Sequence, residues 1–173
     1  KLIEEAGYGP GGKPLKIEIR YNTNDAHKKV ATAIADMWKE VLGAEVTLLN
    51  TDIKTHYAHL QNRGDFDVAR AGWVGDYADA QNFLYLGLTG NAVGNYGQYS
   101  NPKYDELVKM SDATLDPAER ARIMAEAEAV LLADMGLIPL LNRSSLHLVS
   151  DRVKGWAPNV RNVHRSRYIS IDR

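Results

Sequence analysis

Between Leu15 and Ala71 the spacing of apolar residues switches repeatedly between two periods, and that alternation leaves few folds open. Leu15, Ile17 and Ile19 occupy every second position, the period of a strand with one covered face. Val30, Ile34, Met37, Trp38 and Leu42 then fall three and four apart, which marks the buried stripe of a helix. Asn22 to Asp25 offer caps at its start and Gly43 a stop at its end. Ala44 to Leu49 reads as a second strand, Ile53 to Asn62 as a shorter helix, and the run from Phe66 to Ala71 as a third strand. Strand, helix, strand, helix, strand predicts an α/β fold, a mostly parallel sheet flanked by helices and joined by right-handed crossovers.

The third strand leads into the most informative stretch, Phe66 to Tyr77, FDVARAGWVGDY. Gly72 and Gly75 break the apolar run and predict a turn that β-branched residues would resist. Ligands of open α/β sheets bind beyond the carboxyl ends of strands, so Trp73, Asp76 and Tyr77 stand where a site is expected. Arg70 inside the apolar run is an anomaly, because a buried arginine needs a partner; it is expected to reach a carboxylate or a cleft. A carboxylate, an arginine and aromatic walls suit a zwitterionic ligand with an ammonium and a carboxylate end.

The second half is less regular. Asn82 to Leu88 reads as a short helix, and Gly87 to Gly97 as a Gly/Asn-rich loop. Asn101-Pro102 opens a helix to Ala113, with Tyr104, Leu107 and Val108 inward. Asp116-Pro117 followed by Glu119 opens another to Ala133. Leu137 to Leu141 is expected to be a strand, Leu146 to Val149 to continue or pair with it, and Val153 to Trp156 to open a looser tail.

Several function classes recede on composition. The chain has 173 residues, 45% hydrophobic and 25% charged, with no cysteine, so disulfides, thiolate metal sites and a cysteine nucleophile are excluded. Apolar runs such as Met135 to Leu141 are too short to cross a bilayer. Lys1 to Glu5 reads as the last turns of a helix ended by Gly7, and a chain that opens inside a helix is expected to be cut from something longer. The net charge of −1 is uneven: residues 1–142 carry 14 Lys and Arg against 20 Asp and Glu, residues 143–173 carry 7 against 2. That basic tail is diluted by apolar residues at strand-like spacing and has no nucleic-acid motif, so a nucleic-acid partner is not expected.

Each chemical motif has a plainer reading. Gly7 to Lys13 matches the opening of a phosphate-binding loop, but Pro14 stands where Ser or Thr should hold magnesium, and the loop precedes a strand. It reads as a turn. His56 and His59 lie three apart on a helix with no further ligand nearby, which reads as a solvated face and not a metal site. No serine lies in a Gly-x-Ser-x-Gly elbow, and Asp76 and Asp79 lack a visible pKa-shifting partner for acid/base work. No cofactor is called for.

Three stretches together carry a resemblance. YNTNDAHKKVATAIADMWKEVLGAEV (21–46), FDVARAGWVGDYADAQNFL (66–84) and the run from YSNPKYDELV to AEAVLLADMGLIPLL (99–141) closely resemble the oligopeptide-binding proteins of bacterial ABC importers, in order and spacing. The resemblance implies one lobe of a two-lobed periplasmic-binding-protein fold, type II-like, and a non-enzymatic extracytoplasmic role, with lipoprotein anchoring of the intact protein as a further expectation. It places the α-amino grip on Asp76, the carboxylate contact on Arg70 and a further ligand contact on His27. Trp73, Val74, Gly75 and Tyr77 line the cleft, and Asp79 adds a second anionic contact. Gln61 stands where some members have a second arginine, with Arg63 displaced by two.

The same resemblance implies a peptide-binding lobe over residues 1–149 and a segment, 150–173, that returns to the amino-terminal lobe. The partners implied are an oligopeptide, that other lobe and an ABC permease. Without the other lobe, the tail is expected to be poorly ordered or to pair with a second copy of the chain. Two rivals remain: the same scaffold holding nickel, haem or a sugar, and a small α/β hydrolase using Asp76 and His27.

Overall fold

The computed structural model describes residues 1–9, 11–159 and 161–172. Pro10, which belongs to the glycine-rich turn, and Val160 and Arg173 of the tail lie outside the described residues. The chain divides into two compact units, residues 1–72 and 73–173.

The first unit holds α1 (Leu2–Glu5), β1 (Lys16–Asn22), α2 (Asp25–Leu42), β2 (Glu45–Thr51), α3 (Ile53–Gln61) and β3 (Val68–Ala69). Both strand pairs are parallel and the strand order is β2-β1-β3. Ile19 stands opposite Leu48 on one side and Val68 on the other. From β1 the chain crosses outward to β2 and then returns past β1 to β3. Two right-handed crossovers in opposite directions set α2 and α3 on opposite faces. The odd positions of β1 therefore face α2: Ile19, Tyr21 and Ala31 are buried, with Ile17, Ile34 and Trp38 packed around them.

The helix boundaries follow from side chains that answer free backbone N–H groups. Asn24 Oδ1 accepts from Ala26 N at 2.9 Å and His27 N at 3.2 Å, and Gly43 closes α2 in the left-handed region at φ 66. Asp52 caps α3 in the same way. The third strand is much shorter than expected. Asp67 Oδ2 takes the Glu18 N–H at 2.8 Å, so a carboxylate replaces the ladder carbonyl before Val68. Beyond Ala69 a single further bond, Arg70 N–H to the Arg20 carbonyl at 2.7 Å, ends the pairing.

The second unit is built on α4 (Gln81–Leu84), a single 3-10 turn (Tyr85–Gly87), α5 (Pro102–Ala113) and α6 (Pro117–Ala133). Leu84, Tyr104, Leu107, Val108, Ile123, Ala127 and Leu131 form its core. Tyr104 is wholly buried, and its hydroxyl donates to the Leu84 carbonyl. The Gly/Asn-rich loop is braced by its own amides: Asn91 donates to the Tyr85 carbonyl, and Asn95 reaches the carbonyls of Leu88 and Tyr99. Tyr99 and Asn101 both donate to Asp134, which lowers the Asp134 pKa; burial first, and then that carboxylate, push the Tyr99 phenol up to about 12.

Two expectations fail here. Leu137 to Leu141 and Leu146 to Val149 form no strand: among the described residues neither run pairs with a neighbour. Leu140, Leu141, Leu146 and Leu148 are exposed. The tail, in contrast, pairs with itself: β4 (Val153–Lys154) runs antiparallel to β5 (Ser170–Ile171), and Gly155, at φ 76, approaches the Tyr168 carbonyl too closely for any Cβ.

Leu131→Ala should cost about 2–5 kcal/mol through lost burial and a cavity. Tyr104→Phe should cost about 1–3 kcal/mol, because the Leu84 carbonyl is left buried without its donor. Urea midpoints at unchanged m-value test both.

Candidate functional site

In the first unit the site residues gather where the strand order reverses. β1 is the central strand of the order β2-β1-β3, and the carboxyl ends of β1 and β3 lie side by side, the end of the sheet at which open α/β folds bind ligands. Asn22, the last residue of β1, is 4% exposed and joins two predicted residues. Its carbonyl faces His27 Nδ1 at 3.3 Å, and its Oδ1 accepts from Arg70 Nη1 at 3.4 Å. Nη1 also donates to the Tyr57 hydroxyl at 3.3 Å. Arg70 thus meets an amide and a phenol oxygen and, among the described residues, no carboxylate. Gly72 has an ordinary φ; its service is space, since a Cβ there would sit 3.1 Å from Arg70 Nη2.

Beneath Arg70 lies a correction. His56 and His59 do not form a solvated face. His56 is 0% exposed, paired in burial with Leu60 four residues on, and its Nε2–H donates to the Arg70 carbonyl at 2.9 Å. His59 bonds the Asp65 carbonyl at 2.8 Å. The two rings brace the chain on either side of β3, His59 before it and His56 just after it. Burial lowers the His56 pKa, and the nearby charges of Arg20 and Arg70 add to this, against the opposing pull of the Arg70 carbonyl. Among the described residues no group of three or more His, Cys, Asp or Glu gathers to hold a metal.

The second unit carries the turn. Asp76 is exposed, and its carboxylate makes no hydrogen bond or ion pair among the described residues. Val74 and Tyr77 are exposed and Trp73 half-buried. Gly75 again provides space and not an unusual φ, because a Cβ would press on the Phe83 ring at 3.3 Å. Tyr77 donates its hydroxyl to Gln81 Oε1. Two amide-bearing or charged side chains hold the turn. Asn82 Oδ1 accepts both the Trp73 indole N–H at 2.8 Å and the Asp76 N–H at 2.9 Å. Asp79 is bound bidentately by Arg120, at 2.6 and 3.0 Å, and also accepts from Gln81 N.

Asp79, expected as a second anionic ligand contact, is therefore neutralised by the protein itself. The Arg120 guanidinium holds its carboxyl below the usual range, while Arg120 Nε donates to the Ser111 carbonyl. Asn22 and Asn82 were not singled out from sequence as site residues. The only signal available for either was a polar residue at a position whose neighbours demand burial.

Two pH windows follow. His56 has a lowered folded pKa, so below its ordinary 6.5 the unfolded chain binds a proton the folded chain refuses, and stability falls as pH drops through that range. His56→Phe should remove that slope. Asp79 contributes stability above its ordinary 3.8 that is lost as pH falls through its lower folded value, and Arg120→Gln should flatten that second slope. Urea midpoints measured from neutral to acid pH read both.

The family model of bacterial extracellular solute-binding proteins, family 5 (middle), matches residues 1–95. The periplasmic oligopeptide-binding protein OppA of Haemophilus influenzae is 43% identical over 159 residues, which is 91% of this chain and 29% of that protein. The periplasmic murein peptide-binding protein MppA of Escherichia coli is 39% identical over 158 residues, again 91% of this chain and 29% of the relative. The solved structure of Haemophilus influenzae OppA in complex with RPPGFSPFR superposes with a TM-score of 0.87 at 39% identity, covering 98% of this chain and 33% of that one. The chain thus spans less than a third of the length of these curated relatives. Its sheet order, its turn after β3 and the matched residues 1–95 together place the chain in the bacterial extracellular solute-binding proteins of family 5.

Proposed function

We propose that this chain is part of an extracytoplasmic protein that captures oligopeptides and delivers them to an ABC import permease, without catalysis. The observation that carries the reading is Asp76: an exposed carboxylate with no hydrogen bond or ion pair among the described residues, on a turn tied to Asn82 through its backbone. It grips the α-amino group of the peptide. In the first unit, Arg70 and His27, gathered on Asn22, are the proposed contacts for a peptide carboxylate; in the second unit, Trp73, Val74, Gly75 and Tyr77 are the proposed aromatic and backbone walls. Peptide backbones are recognised through hydrogen bonds indifferent to side-chain identity, which suits a carrier of varied sequences.

The tail belongs to this proposal. Residues 150–173 return to the other lobe of the full-length protein, and the exposed apolar side chains from Leu137 to Leu148 support that reading, since such a ribbon needs cover. The 173-residue chain alone should bind peptide weakly or not at all, having one lobe of the clamp.

In the full-length protein, Asp76→Ala should weaken tripeptide binding by about 1.5–3 kcal/mol, measured by calorimetry, and an N-acetylated tripeptide should lose a similar amount. Equal affinity for free and acetylated peptides overturns the assignment of Asp76. Native mass spectrometry of the purified protein tests the ligand class, and a bound metal, haem or sugar in place of peptides overturns the reading.

A further inference from the structure

We infer that Asn82 is a positioning residue of the proposed peptide site: its single amide oxygen sets both the aromatic wall and the ammonium-binding acid. The inference rests on the peptide-binding reading above and adds to it the group that aims Asp76.

Asn82 is 3% exposed, so its amide has no recourse to water. Its two partners on the turn are both donors, the indole N–H of Trp73 and the backbone N–H of Asp76. Only the oxygen can answer them, which fixes the orientation of the amide. Trp73 and Asp76 are three residues apart across Gly75, on a turn with no ladder of its own, and Asn82 converges them on one point. Asn82 in turn opens a rigid stretch. It lies in α4, whose Leu84 belongs to the buried core, with the Leu84 carbonyl held by Tyr104. The chain of restraint runs from core to Leu84 to Asn82 to the backbone of Asp76.

The Asp76 side chain is exposed to solvent and makes no hydrogen bond or ion pair among the described residues. A carboxylate carried on a fixed backbone loses little freedom when it meets an ammonium group, so the affinity of that contact is not diluted by ordering a loop. Among the described residues Asn82 is the one acceptor for the Trp73 indole, so the ring and the acid move together if it fails.

The test uses Asn82→Ser, whose hydroxyl is too short to reach both donors, and Asn82→Asp, which keeps an acceptor oxygen at the same reach. The first readout needs no ligand: solvent exchange of the Trp73 indole N–H in the 173-residue chain, with the resonance identified by Trp73→Phe. Asn82→Ser should speed exchange strongly and Asn82→Asp should leave it close to the parent, with the circular dichroism of both unchanged. The second readout is tripeptide affinity in the full-length protein, which should fall about tenfold to a hundredfold in Asn82→Ser and be largely retained in Asn82→Asp. Unchanged indole exchange in Asn82→Ser overturns the proposal whatever the protein binds. Faster exchange with unaltered peptide affinity overturns it too, reducing Asn82 to a structural residue. If Asn82→Ser does not fold, Trp73→Phe decides by itself: a shift of the Asp76 amide resonance supports the shared acceptor, and an unmoved one overturns it. Absence of peptide binding in the unsubstituted full-length protein, with the indole response intact, overturns the functional reading and the positioning role with it.

Discussion

A primary amide withdrawn from water must find its hydrogen bonds in the protein or cost the fold several kcal/mol, roughly the margin that one buried polar group can erase. Two asparagines in this chain meet that demand among the binding loops. Asn22 does so at the end of β1, where it holds His27 and Arg70, and Asn82 at the start of α4, where it holds Trp73 and the backbone of Asp76. The loops are shaped because the framework needs those amides satisfied, before any ligand arrives. Under the proposed function, recognition by such a surface pays little for ordering itself.

The parallel sheet and its two crossovers were legible because period alone distinguishes β1 from α2, and because Asn24, Asp52, Asn101 and Asp116 are all residues whose oxygens answer helix N-termini. The turn that carries the candidate site was legible from Gly72, Trp73, Gly75 and Asp76 following an apolar strand. What those glycines do was not: they leave room for Arg70 and Phe83 and do not adopt positive φ, a distinction that only neighbours can reveal. His56 misled for a related reason. Its spacing from His59 suggested a shared outer face, while its true companion is Leu60, and both are buried. Asp79 read as a second ligand acid because its partner, Arg120, lies 41 residues further along the chain.

The failures in the second unit have a common cause. Leu137 to Leu141 has the composition of a strand, yet a strand exists only where a neighbour completes its ladder, and composition cannot supply one. The tail shows the converse. With little apolar content in regular spacing, Val153-Lys154 still pairs with Ser170-Ile171, because the chain reverses between them and Gly155 admits the Tyr168 carbonyl.

The bond between Asp79 and Arg120 sets a rule for protein engineering. The loop from Trp73 to Asn82 is docked onto α6 through that guanidinium, so it is not a transferable cassette. A swap that imports the loop from a relative while leaving position 120 unmatched would strand an acid beside the Ser111 carbonyl with no cation between them. Redesign of ligand preference in this scaffold therefore has to move the loop and its distant arginine as one unit.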